Sequence, residues 1–122
     1  MPKKAAEKTY SPEEITARLA ANLPEWTFAE GHIRRRYKTA NWPETLMLIN
    51  AVGFLAETAW HHPELSASYG WAEFSLMTHS AGGVTNKDFE LARKIEDMAR
   101  WQPGSEGGAL EGKPRADAKS SV

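Results

Sequence analysis

The first clear pattern in the chain begins at Ser11, where Pro12, Glu13 and Glu14 precede Ile15, Leu19 and Leu23, one apolar position every four residues. Ser11 can cap a helix, Pro12 suits its first position and Glu14 can close a capping box, so the spacing predicts a helix to about Leu23, stopped by Pro24. Trp26 and Phe28 start an extended piece, and Glu30 and Gly31 supply a turn. His32 to Lys38 then alternates, with Ile33, Arg35 and Tyr37 on one face and His32, Arg34, Arg36 and Lys38 on the other, which predicts a hairpin with one basic face.

From Asn41 to about Trp60 the pattern is helical and apolar almost all the way round. Trp42, Leu46, Ile49, Val52, Leu55 and Ala56 can cover one contact, leaving Met47, Leu48 and Phe54 for another, such as a second subunit. Pro63 ends this helix. Leu65 to Tyr69 reads as a short strand, Gly70 as a turn, and Trp71 to Thr78 as a strand alternating Ala72, Phe74, Leu76 and Thr78 against Trp71, Glu73, Ser75 and Met77. Thr85 with Asp88 resembles a capping box, and Phe89, Ala92, Ile95 and Ala99 form the stripe of a last helix reaching about Trp101. Two hairpins that each lead into a helix favour an α+β fold, a four-stranded antiparallel sheet with three helices on one face.

Composition narrows the chemistry. With 122 residues the chain is one domain, taken as 11–101 between flexible tails at 1–10 and 102–122; the second tail holds four of the nine glycines. Fifteen Lys and Arg against sixteen Asp and Glu leave a net charge of -1, so no global basic field holds nucleic acid or an anionic membrane. No run approaches the roughly 18 to 20 apolar residues of a membrane span, and the N-terminus turns polar too soon for a signal peptide, which points to the cytoplasm. The absence of cysteine excludes disulfides, thiolate metal sites and a cysteine nucleophile. What remains is histidine and carboxylate chemistry.

His61 and His62 stand side by side before Pro63, with Glu57 one helical turn before His61, a spacing that lets the pair share a face. His79 closes the last predicted strand and Asp88 opens the last helix. If that strand runs beside the end of the long helix, three imidazoles meet at one mouth, flanked by Glu57 and Asp88, a set suited to proton transfer near pH 7. The plainer alternatives are a histidine pair capping a helix end and a metal site, the latter without an HExxH spacing or cysteine partner. His32, among arginines, reads as solvated.

The run Glu57, Thr58, Ala59, Trp60, His61, His62, Pro63, Glu64, then Tyr69, Thr78, His79, Gly82, Gly83, Val84, Thr85 and Asp88 resembles the signature of the pterin-4a-carbinolamine dehydratases, and the element order agrees over about residues 11–101. The resemblance implies dehydration of a 4a-hydroxytetrahydropterin to the quinonoid dihydropterin, with His61, His62 and His79 as acid and base and no metal or organic cofactor. It also implies supporting roles for Glu57 and Asp88, an aromatic near the pocket at Trp26, and association as dimers or tetramers. Leu65 stands where the family commonly has Trp, and Ser80 and Ala81 follow Thr78 and His79 where an acidic residue and Cys are usual. These features, with Ile33 to Tyr37 and Ser68 to Trp71, look like the α-carboxysome branch of the family, regarded as assembly factors for ribulose bisphosphate carboxylase (Rubisco). That branch implies a Rubisco chaperone with little or no dehydratase activity. Surface chemistry would put its partner on Arg34, Arg36 and Lys38 with Trp71 and Met77 on the open sheet face; the alternative is that the basic row only blunts an edge strand and self-association fills the Trp71 face. The alternatives are a working tetrahydropterin dehydratase and, for the face left over on the long helix, a dimerising transcriptional cofactor.

Overall fold

The computed structural model describes residues 7–113; the outermost parts of both expected tails, 1–6 and 114–122, lie outside the described residues. Helix α1 (Pro12–Asn22) starts with the reciprocal box anticipated from sequence: the Ser11 hydroxyl accepts from the Glu14 amide and Glu14 accepts from the Ser11 amide. It buries Ile15 and Leu19, with Leu23 just beyond its end. Strand β1 (Thr27–Ala29) and strand β2 (His32–Lys38) are joined through Glu30 and Gly31, both at positive φ, the two-residue turn whose twist matches a right-handed hairpin.

Helix α2 (Trp42–Ala59) is capped by the Asn41 side chain, which accepts from the Glu44 amide. Strands β3 (Glu64–Ser68) and β4 (Trp71–Leu76) form the second hairpin, and helix α3 (Asn86–Ala99) follows a short 3-10 turn at His79–Ala81. The sheet is antiparallel throughout, in the order β1-β2-β4-β3, so the two longest strands lie at its centre with Arg35 opposite Phe74 and Tyr37 opposite Ala72. Among the described residues the helices cover one face. Ile33, Tyr37, Ala72, Phe74 and Leu76 are buried under the helices beside Val52, Ala56, Ala92 and Ile95. Full burial of each of the larger side chains stabilises by roughly 1.5 to 3 kcal/mol. The three-helix, four-stranded α+β architecture is the one expected.

The differences from expectation have local causes. β4 ends at Leu76 rather than Thr78, because the chain curls at Thr78, whose carbonyl accepts from the Ala81, Gly82 and Gly83 amides. Trp42 and Leu46 are exposed, not packed on the sheet; the buried slot on that turn of α2 belongs to Thr45, whose hydroxyl lies 2.9 Å from the Tyr69 carbonyl and 3.0 Å from that of Asn41. α3 stops at Ala99, short of Trp101. Within the segments read as tails, the Tyr10 ring packs edge-on against Phe89, and Lys113 bonds Glu44.

Candidate functional site

The centre of the site is Asp88, the third residue of α3, which is wholly buried. Its Oδ2 accepts from the Thr85 amide at 2.9 Å, completing the capping box, and from the Thr78 hydroxyl at 2.8 Å. Thr85 Oγ1 lies 2.8 Å from Thr78 Oγ1. With the Thr78 proton committed to the carboxylate, Thr85 donates to Thr78, and both hydroxyls end on Asp88. Oδ1 is left for His61, whose Nε2 sits 2.5 Å away. A carboxylate whose second oxygen already receives two donors holds the imidazole by an Nε2 proton and leaves Nδ1 free, the usual way an orienting carboxylate selects a tautomer.

His62 is held differently. Its Nε2 is 2.9 Å from Glu57 Oε1, and both side chains are more than half exposed. The expected pairing of Glu57 with His61 does not occur. α2 ends in a chain reversal at Trp60, which is in the left-handed conformation, and this turns His61 inward to Asp88 while His62 swings back toward Glu57. His79 is exposed at the start of the 3-10 turn, directly after Thr78, so one residue joins the backbone carrying His79 to the carboxylate holding His61. Among the described residues no group of three or more His, Asp or Glu side chains converges as metal ligands would.

Trp26 does not join this group. It is buried, and its indole N–H donates to Glu96 at 2.9 Å. Glu96 lies eight residues after Asp88, about 12 Å along the helix at 1.5 Å per residue. Glu96 also accepts from Arg35 Nε at 3.1 Å and from the Tyr37 hydroxyl. Burial pushes the Glu96 carboxyl up, but the hydrogen bonds from Arg35, Tyr37 and Trp26, with the Arg35 charge, together hold it below the ordinary carboxylate value. Burial and then the bond to Glu96 drive the Tyr37 phenol far above its ordinary range. This cluster was missed in the sequence, although two signals were present: Arg35 on the inward face of β2, and Glu96 four residues after Ala92 on the inward stripe of α3. Open grooves of about 750 and 520 Å³ border this end of α3, and neither includes a histidine.

The proposed partner row is also modified. Arg34, Arg36 and Lys38 share the open face of the sheet as expected, but Arg34 reaches Glu30 at 3.3 Å, and Arg36 bonds Glu73 at 3.1 Å while lying 3.6 Å over the Trp71 ring. The row is therefore largely neutralised within the chain, with Lys38 the member for which no ion pair forms among the described residues. Met77 is half-buried beyond the end of β4.

A family model for pterin 4 alpha carbinolamine dehydratase matches residues 8–98, and the chain belongs to that family. A protein of Aquifex aeolicus, provisionally named pterin-4-alpha-carbinolamine dehydratase, is 39% identical over 88 residues, 72% of this chain and 89% of its own length. Among solved structures, the transcriptional coactivator/pterin dehydratase from Brucella melitensis superposes with a TM-score of 0.69 at 28% identity, covering 75% of this chain and 99% of the other. A pterin dehydratase-like protein described as a RuBisCO assembly factor in the alpha-carboxysome superposes with a TM-score of 0.52 at 13% identity, over 62% of this chain and 87% of its own, a likeness of fold. No helix among the described residues is long and apolar enough to cross a membrane.

Proposed function

We propose that the protein dehydrates a 4a-hydroxytetrahydropterin, with no metal or organic cofactor. The observation that carries this reading is the fully buried Asp88, which presents one oxygen to His61 beside the exposed His62 and Glu57 pair. A histidine pair that merely capped α2 would have no use for a buried carboxylate on a different helix. The reaction needs an acid to protonate the 4a hydroxyl, so that the C4a–O bond breaks and water leaves. It also needs a base to take the N5 proton as the C4a=N5 bond forms. His61, oriented through Nε2 with Nδ1 free, suits the base; His62, tied to Glu57 and open to solvent, suits the acid, and His79 would be a third group able to exchange protons. The exposed Met47 and Phe54 on α2 support self-association as a dimer or tetramer.

The test is dehydration of chemically generated 4a-hydroxytetrahydropterin against the spontaneous rate. The purified protein accelerates it, and His61→Ala loses roughly 100-fold or more of the acceleration while remaining folded. A wild-type rate equal to the spontaneous one sinks the reading.

A second reading, assembly of Rubisco at the carboxysome, is favoured by one observation. The Arg36 and Trp71 pair, with Lys38 beside it, lies on a sheet face that no element among the described residues covers. On that reading Arg36→Glu with Lys38→Glu abolishes the gain of soluble assembled Rubisco on co-expression. An unchanged yield removes the surface from consideration.

A further inference from the structure

Among the described residues, two that are not glycine have positive φ: Glu30 at 54° and Trp60 at 55°. Glu30 is accounted for by the two-residue hairpin turn, which requires that conformation. Trp60 is not. It occupies the position after α2 where helices commonly place glycine, or asparagine, because a side chain at left-handed φ crowds the following carbonyl. The hydrogen bonds are those of the motif that demands this conformation: the Trp60 amide to the Glu57 carbonyl at 3.2 Å, and the His61 amide to the Ala56 carbonyl at 3.0 Å. The reversal is needed to turn His61 into Asp88. The bulky residue at its corner is not needed for that, since glycine or asparagine would make the turn with less strain.

Nor, among the described residues, does packing of the indole offset the strain. Trp60 is 75% exposed, the most exposed of the large apolar side chains among the described residues. Its aromatic contact is with His62, with ring centroids 5.2 Å apart and planes at 80°. Strain kept at an exposed aromatic, next to a histidine of the candidate site, points to a use outside the folded chain itself. The two perpendicular rings form a corner in which a flat heterocycle laid against one is met edge-on by the other, the arrangement aromatic groups prefer.

We infer that Trp60 is a substrate-positioning platform, which stacks the pterin ring system beside His62. The inference rests on the dehydratase reading and adds a binding residue to it. A platform predicts opposite signs for stability and binding in the same variant, because relief of the left-handed strain and loss of the indole are separate effects. Trp60→Asn, which suits the turn, should raise the melting temperature by roughly 3 to 8 °C. In the same variant, binding of 7,8-dihydropterin, followed by calorimetry, weakens roughly 10-fold, the usual worth of one aromatic stack. KM for the 4a-hydroxy substrate rises in step, with a smaller change in kcat. Trp60→Phe recovers most of the lost binding. Trp60→Gly, equally compatible with the turn, repeats the result for asparagine and guards against an effect peculiar to that side chain.

If wild type binds and turns over the pterin and Trp60→Asn does so equally well, the platform is wrong while the dehydratase reading stands. If Trp60→Asn instead changes the oligomeric state at unchanged binding, Trp60 serves a subunit contact and the platform is likewise overturned. If wild type neither binds 7,8-dihydropterin nor accelerates dehydration, both fail together, a result distinguishable from the other two by the wild type alone.

Discussion

Helix α3 buries two carboxylates on one side, and the two ends of the helix use them differently. At Asp88 the partners are an amide, a chain of two hydroxyls and one imidazole; at Glu96 they are a guanidinium, a phenol and an indole. Both satisfy the same requirement, that a buried charge be surrounded by donors. The difference lies in whether the last partner is free to exchange a proton with something outside. His61 keeps an unbound ring nitrogen, whereas the Arg35 guanidinium and the Trp26 indole are donors with no acceptor to offer. A carboxylate is thus a structural rivet or an orienting group according to the one residue at the end of its hydrogen-bond chain.

The sharpest way to break the comparison is to remove each carboxylate and see which property falls. Glu96→Ala strands Arg35, whose side chain is 16% exposed, with its partner gone. The expected loss is about 3 to 5 kcal/mol of folding stability, read from denaturant unfolding, with little change in kcat below the new transition. Asp88→Asn does the reverse: activity drops roughly 100-fold, equivalent to about 2.7 kcal/mol in the barrier, while the capping site is largely retained by the amide oxygen. An Asp88→Asn protein that lost stability more than activity would make Asp88 a second rivet.

The smallest effect sharpens the contrast through pH. Glu96 is held below its ordinary value of 4.5, so its contribution is fully present above about pH 4.5 and is lost as pH falls through the lower folded value. The Tyr37 phenol is pushed up from 10.0. Above pH 10 the unfolded chain therefore loses a proton that the folded chain keeps, and stability declines as pH rises. Tyr37→Phe loses about 1.5 kcal/mol at neutral pH, the worth of a hydrogen bond to a charged group. It also flattens the alkaline decline relative to wild type in melts between pH 9 and 11, and an unchanged alkaline slope would mean that the phenol is not held by Glu96.

The elements could be read from the sequence because their signals are local. Ser11 with Glu14, Asn41, Glu30 with Gly31, and Thr85 with Asp88 all act within four residues, and the alternation from Ile33 to Tyr37 needs one buried face and nothing more. The three candidate histidines were visible because a chain without cysteine leaves imidazole as the neutral-pH chemistry, with His61 and His62 adjacent at a helix end and His79 at a strand end. What the sequence could not supply were the partners. Pairing Glu57 with His61 assumes that the helix continues to His61, and a single left-handed residue at Trp60 transfers the partnership to His62. The arginine row looked free because Glu73 and Glu30 become its neighbours only when β4 and the hairpin turn fall into register. Glu96 and Arg35 appeared as isolated charges on inward faces, 61 residues apart, and their meeting is a property of the sheet and helix packed together.

The Asp88 carboxylate that holds His61 also begins α3, through the same oxygen that accepts the Thr85 amide. In evolutionary terms the fold has a claim on that residue independent of any reaction. On the dehydratase reading, a lineage that gave up such a reaction would still be selected to keep Thr78, Thr85 and Asp88, while Trp60, Glu57 and His62, which stand on the surface, would drift first. If the protein is a dehydratase, these outer residues carry the record of its chemistry, and the buried three carry the record of its fold.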